Sequence, residues 1–438
     1  MLKTGFARVD ITPSLGTPLS GHFVGRAAED ILDPLYVTAV TFDNEEKRAV
    51  ILSVDNIGVP QWFMDKFRQA IADACKTDYE AIYIACTHTH YAPYTADKDE
   101  KVYDAEYVAL LERKLCDAAK LSVLDLAPSE MSYARSHVEG VSFIRRYRMK
   151  DGSARTNPGY LNPDVVAPIG EPDKTVQTIF IKREGKPQIG IVNFQVHADV
   201  VGGAGVSADF PKFVRDTYEK LIDNSLCMYI NGPEGDTNHV DISLEESKCR
   251  TGYDRARYMG RKIAMAAVSN YELREKIDGD KISYGQKNVP VKYNKGTPEE
   301  YPEALRIIKE YERLGDPRLI PGMKEPVAHT MGKARRVVEL EKYEDYKELY
   351  LSAVTVGNVA FGGIPGEPFT EVGRIVKRKS EFILTIPSCC TNGYEGYYPM
   401  AADYDEAGYE SASARFVKGT AEKLADELSS LINSLKCN

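Results

Sequence analysis

The chain lacks several features that would place it in a specialised class. No run of about 18 apolar residues occurs, which excludes a membrane-spanning helix. No lysine or arginine run is longer than a few residues and the net charge is −9, so a nucleic-acid partner is not expected. The opening residues Met1-Leu2-Lys3-Thr4-Gly5-Phe6 carry neither an apolar h-region nor a small-residue cleavage site, which reads as no signal peptide. The eight cysteines, Cys75, Cys86, Cys116, Cys227, Cys249, Cys389, Cys390 and Cys437, form no C-x-x-C pair, and several sit in apolar runs. Reduced, buried thiols and a cytoplasmic location are the expectation. There is no internal repeat, low-complexity tract or Pro/Gly/Ser linker. What remains is ordinary globular composition, 43% hydrophobic and 28% charged over 438 residues, long enough to bury a core without disulfide staples.

Apolar patterning predicts the layers. Arg48 to Asp55 and Ala81 to Cys86 suit short buried strands, and between them Phe63, Met64, Phe67, Ile71 and Cys75 recur at helical spacing. A second strand–helix–strand unit runs through Gln188 to Val196, Phe210 to Ile222 and Leu226 to Ile230. Helices are predicted over about 251–271, around 298–315 and 332–348, and as one long amphipathic helix over 411–435. A strand pair over 350–361 turns at Gly357-Asn358. Residues 278–348 are more polar and read as an insertion or lid-like excursion. The fold class is α/β, a mixed β-sheet core layered with helices in a single large domain over 1–438.

Histidine is scarce, with seven residues, and its placement is informative. His88 and His90 follow the strand AIYIAC directly, where ligand-binding side chains project in α/β sheets. Two readings stand for this H-x-H: a pair of metal-ligating imidazoles, or a polar loop. His197 repeats the pattern after IVNFQV; it adds weight to the metal reading and leaves a satisfied structural histidine as the alternative. Glu367, in Pro365-Gly366-Glu367-Pro368, follows the strand VAFGG at a predicted helix start, where an acid also complements the macrodipole. The loop Asn231-Gly232-Pro233-Glu234-Gly235-Asp236-Thr237-Asn238 follows MYI; its glycines allow close backbone approach or serve a plain turn. Tyr394, Tyr397, Tyr398, Tyr404 and Tyr409 crowd one glycine-containing segment, offering phenol donors, oxygen ligands or packing.

Taken in order, these segments resemble the catalytic domain of the neutral/alkaline (non-lysosomal) ceramidases. The matching motifs are GFARVDITP at 5–13, THTH at 87–90, FIRR at 143–146, the histidine loop at 197, SADFP at 207–211, NGPEGD at 231–236, PGEP at 365–368 and NGYEGY…GYE at 392–410. The resemblance implies one catalytic Zn2+ held by His88, His197, Glu367 and Tyr397, with Tyr404 as the alternative tyrosine. It also implies that His90, Arg145 (or its neighbour Arg146) and Tyr409 line the reacting carbonyl. Two departures stand out: Asn238 occupies the position of the family's serine, and the family's immunoglobulin-like C-terminal domain has no counterpart here.

The expected activity is therefore zinc-dependent hydrolysis of an amide, with an ester as the alternative, in a small polar substrate that Asn238 and Arg145 contact. A ceramidase proper and a non-catalytic metal- or ligand-binding relative are the competing readings. The expected partner is a small-molecule substrate, with no nucleic acid and no transmembrane segment.

Overall fold

The computed structural model describes residues 1–95, 103–246, 252–324, 326–406 and 408–436. Its first part contains β1 (Lys3–Asp10), β2 (Tyr36–Asp43), β3 (Arg48–Val54), α1 (Gln61–Cys75), β4 (Ile82–Cys86), α2 (Ala105–Leu124) and β5 (Ala127–His137). Then come β6 (Thr175–Arg183), β7 (Gln188–Phe194), α3 (Phe210–Leu221), β8 (Ser225–Asn231) and α4 (Gly252–Ser269). These strands form a mixed sheet in the order β8-β7-β6-β5-β1-β2-β3-β4, with Glu275–Ile277 paired to β5. The second part adds β9 (Ile282–Lys292), α5 (Tyr301–Leu314), α6 (Val327–Glu341), β10 (Tyr346–Val356), β11 (Val359–Gly363), α7 (Thr370–Lys379), β12 (Leu384–Ser388), α8 (Tyr409–Ser413) and α9 (Thr420–Ser434). Its sheet has the order β9-β10-β11-β12.

The two sheets share one apolar layer, which explains why the strands read as unbroken hydrophobic runs. Successive side chains point to opposite faces, and here both faces are buried. In β3, Ala49 and Ile51 face the second sheet, packing in one cluster with Val354, Phe361 and Ile386. Val50, Leu52 and Val54 face α1 and α2, against Met64, Phe67 and Leu111. On the far side of β7 and β8, Val192, Phe194 and Tyr229 pack with Phe210 and Val214 of α3 and Met259 and Ile263 of α4. Leu351, Ala353 and Ala360 of the second sheet face Val372 of α7 and Leu424 and Leu428 of α9. The order of layers is thus helices, sheet, sheet, helices. The GFARVD motif has a packing reason as well: a Cβ on Gly5 would lie 1.8 Å from the Ser122 carbonyl oxygen, so only glycine lets β1 meet α2 this closely.

Three segments differ from their sequence patterns. The predicted 411–435 helix is two, α8 and α9, because Gly419 at φ 90° caps the start of α9 in the left-handed region. The 332–348 pattern ends as a helix at Glu341 and passes into β10, where Tyr346 to Val356 pairs along its whole length with β9. The polar stretch 278–348 therefore begins and ends as sheet, and only α5, α6 and their connections stand apart from it. Among the described residues the cysteines are free thiols; Cys249 and Cys437 lie outside the described residues. No described helix is long and apolar enough to cross a membrane.

Candidate functional site

Three parallel strand pairs, β3/β4, β7/β8 and β11/β12, direct their carboxyl ends toward one place. The loops that follow them are joined backbone to backbone. Thr89 bridges Ala198, so the two histidine loops run side by side, and the His90 N–H donates to the Ala198 carbonyl at 3.0 Å. Glu367 pairs in parallel with Tyr397. Gly235 N–H donates to the Pro368 carbonyl at 3.0 Å, and a Cβ at Gly235 would lie 2.5 Å from the Glu367 carbonyl oxygen. The SADFP motif secures the His197 loop: Asp209, at the start of α3, accepts the N–H groups of Val200 at 2.8 Å and Val201 at 3.3 Å.

Side chains 109 and 279 residues away from His88 thereby reach it. His88 Nε2 lies 3.2 Å from His197 Nε2 and 3.4 Å from Glu367 Oε2, and His197 Nε2 lies 3.5 Å from the same oxygen. His90 Nε2 is 3.4 Å from His88 Nε2. The tautomers follow from the outer ring nitrogens. His88 Nδ1 is 2.7 Å from the Ile57 carbonyl and His90 Nδ1 is 3.0 Å from that of Gly21. A carbonyl only accepts, so both Nδ1 atoms carry hydrogen and both Nε2 lone pairs can turn inward, the arrangement of a metal ligand with its outer support. His88 itself adopts φ 66°, uncommon for a residue with a side chain and held by its N–H to the Asn56 carbonyl at 2.9 Å.

Electrostatics set the protonation that an arriving ion meets. Burial works against charge on His88, but the Glu367 and Glu234 carboxylates outweigh it and raise its pKa to about 9. Burial, then the charges of Arg145 and His88, keep His197 neutral, and burial followed by His88 lowers His90 to about 3. Burial disfavours ionised Glu367, yet His88 and His197 hold it far below its ordinary range. Glu367 Oε2 and both oxygens of Glu234 are buried with no hydrogen-bond partner among the described residues. Converging imidazole lone pairs beside orphaned carboxylate oxygens are what a divalent cation satisfies. The ligand atoms of His88, His197, Glu234 and Glu367 lie within 4.8 Å of one another, and His88, His90 and His197 form an overlapping set.

No protein-family model and no curated protein matches the chain. Solved structures do. Neutral ceramidase from Pseudomonas aeruginosa superposes with a TM-score of 0.77 over 99% of this chain and 74% of its own, at 16% identity. A ceramidase complexed with C2 superposes with a TM-score of 0.75 over 99% and 75%, at 15% identity. This chain has the neutral ceramidase fold.

Within that ceramidase fold, the other candidate residues fall into two groups. Tyr397 and Tyr409 line the same cavity as His88, His90 and Glu367, with the two tyrosine rings edge to face at 5.6 Å. The Arg145 guanidinium stands 5.3 Å over the Tyr397 ring and 3.5 Å from His197, with Nε on Glu410 at 2.7 Å and another nitrogen on the Gly235 carbonyl at 2.9 Å. Arg146 turns to Asp403 and Glu410 instead. Tyr404 donates to the Phe416 carbonyl at 2.7 Å. Asn238 is turned into its own loop: its amide donates to Asn157 at 2.8 Å and accepts the Val240 N–H at 3.0 Å, and it is not among the described residues lining the cavity.

Sequence reasoning passed over three participants. Glu234 lies 3.9 Å from His88 Nε2, Tyr394 donates to Glu367 Oε1, and Glu410 anchors both arginines. Glu410 sits in the GYE motif, whose tyrosine took the attention. Glu234 had a usable signal, an acid directly after a buried strand beside two glycines.

The cavity over the site holds about 700 Å³. Helix α6 forms one wall because Gly332 admits Tyr409 and Ser413, where a Cβ would come within 3.1 and 2.9 Å of them. One turn on, Arg335 and Arg336 reach the cavity. Arg336 donates to the Ala412 and Asn294 carbonyls. Arg335 rests 4.8 Å over Phe23 and 5.1 Å over Tyr311, and makes no hydrogen bond or ion pair among the described residues. The other cations in the wall, Lys347 and Arg415, are paired with Glu395 and Glu339.

Proposed function

We propose that this protein is a metal-dependent hydrolase, with Zn2+ as the ion, that cleaves an amide in a small polar substrate. The observation that carries the reading is the convergence of His88, His197 and Glu367 at 3.2–3.5 Å with an orphaned carboxylate oxygen among them. In this reading those three residues and the Tyr397 phenol hold the ion, which when bound polarises a carbonyl and acidifies water. His90, its Nδ1–H fixed on Gly21, uses the Nε2 lone pair to take a proton from the attacking water and return it to the leaving nitrogen. Tyr409 donates a hydrogen bond to the developing oxyanion, and Arg145 adds positive charge from behind His197. Helix α6 serves as one wall of the cavity.

The Arg335 guanidinium in the cavity wall, with no hydrogen bond or ion pair among the described residues, supports a substrate that carries a polar or anionic group. A long acyl chain would leave the Arg335 guanidinium without a polar partner, and sites built to pair polar groups reject ligands that do not. The test has two parts. Elemental analysis should find one zinc per chain in the purified protein and none in the His88→Ala, His197→Ala double variant; full occupancy in that variant overturns the ligand set. Comparison of kcat/KM for a short polar N-acyl substrate and a long-chain ceramide in detergent should favour the former. A ceramide that wins makes this a ceramidase proper.

A further inference from the structure

Among the described residues, Glu234 is the acid of the site with neither carboxylate oxygen hydrogen-bonded, and its side chain is 0% exposed. A carboxyl in such a position is ionised only when it is paired or coordinates a metal, and is otherwise kept neutral by a proton. The loop that carries it is held against the metal cluster from two sides. Gly235 N–H donates to Pro368, and the Cys389 N–H donates to the Asn231 carbonyl at 3.2 Å, at the start of the same loop. Glu234 Oε1 then stands 3.9 Å from His88 Nε2, inside the 4.8 Å group that includes His197 and Glu367. Neighbouring donors on one zinc at about 2.0–2.2 Å stand about 3.0–3.6 Å apart, so shifts of up to about an ångström bring these four donors onto a single ion.

We propose that Glu234 is a resident ligand of the same metal, adding a second carboxylate to the two imidazoles, the Glu367 carboxylate and the Tyr397 phenol. The inference rests on the proposed function, which supplies the ion, and adds a ligand that reading does not use. Two carboxylates neutralise a dication and enrich the site in oxygen donors, which suits Zn2+ and also Mn2+ or Fe2+. A rival arrangement exists, because Glu234 also groups with the Cys389 and Cys390 thiols within 4.8 Å, a separate pocket for a thiophilic ion.

The experiment is equilibrium titration of chelator-stripped full-length protein with Zn2+ against a chromophoric competitor, and separately with Co2+ read by its visible absorption. Wild type should bind one ion, and Glu234→Gln, nearly isosteric, should bind one ion about 10- to 100-fold more weakly with a changed Co2+ spectrum. Glu234→Asp, which keeps the charge but shortens the reach, should fall between them and serves if the glutamine variant fails to fold. Wild-type affinity and spectrum in Glu234→Gln overturn the inference while leaving the proposed function intact. Two ions in wild type with one lost in Glu234→Gln overturn it too, in favour of the cysteine site. No ion in wild type overturns the proposed function and this inference with it.

Discussion

Asp55 and Arg215 form a buried pair that holds the histidine loop, and breaking it should be felt in both stability and metal binding. The Arg215 guanidinium in α3 donates two parallel bonds to the Asp55 carboxylate, at 2.8 and 2.7 Å, with side-chain exposures of 3% and 0%. Asp55 also accepts the Tyr36 N–H at 2.9 Å and the Thr87 hydroxyl at 3.3 Å, one residue before His88. Burial opposes the arginine charge, but Asp55 outweighs it and raises the pKa, so Arg215 stays charged at every working pH. Asp55→Ala leaves that charge buried and unpaired, a loss of about 3–5 kcal/mol. The stranded Tyr36 N–H adds about 1 kcal/mol. Against a typical total of about 5–15 kcal/mol this is a large fraction. The double variant Asp55→Ala, Arg215→Met removes the charge as well as its partner and should recover about 2 kcal/mol or more, because replacing both members of a buried pair is far milder than orphaning one. The assay is urea unfolding followed by far-ultraviolet circular dichroism, since Trp62, the single tryptophan, is 59% exposed and a poor reporter. The pair is not the clamp described here if Asp55→Ala loses less than about 1 kcal/mol, or if the double variant loses the sum of the two singles.

Other outcomes follow from the site. The pKa of about 9 at His88 means that the ion must displace a proton at neutral pH, so Zn2+ affinity should rise at least about tenfold per pH unit up to about pH 9; competition titrations at pH 6.5, 7.5 and 8.5 that agree with one another refute this. Gly235→Ala places a methyl against the Glu367 carbonyl and should weaken Zn2+ binding about tenfold or more, readable in the same titration. His90→Ala should keep the zinc, by elemental analysis, and lose about 10²–10⁴ in kcat. Arg335→Met should leave zinc content unchanged and raise KM for carboxylate-bearing amides more than for their neutral carboxamides, checked by kinetics on matched pairs.

Local sequence carried the strands, their ends and three of the candidate ligands. Period and length marked β3, β4, β7 and β8 as buried, and the loops after the apolar runs offered His88, His197 and Glu367 as candidates, because in a layered α/β fold the chain must leave the sheet there with its side chains unburied by neighbouring strands. Glycines with steric reasons, Gly5 and Gly235, were visible in their motifs as well. The boundary at Gly419 escaped because the amphipathic spacing on its two sides is continuous in register while the backbone is not. Tertiary structure alone decided the remainder. Whether Asn238 faces substrate or its own loop depends on Asn157, 81 residues away, and whether Arg145 or Arg146 approaches His197 depends on how Glu410 and Asp403 divide the two guanidinium groups. The state of Glu234 depends on burial and on the absence of partners, neither of which is a property of a tripeptide. A residue type sets what a side chain is able to do; the distances and dielectric that select among those options are set by segments that meet only after the chain has folded.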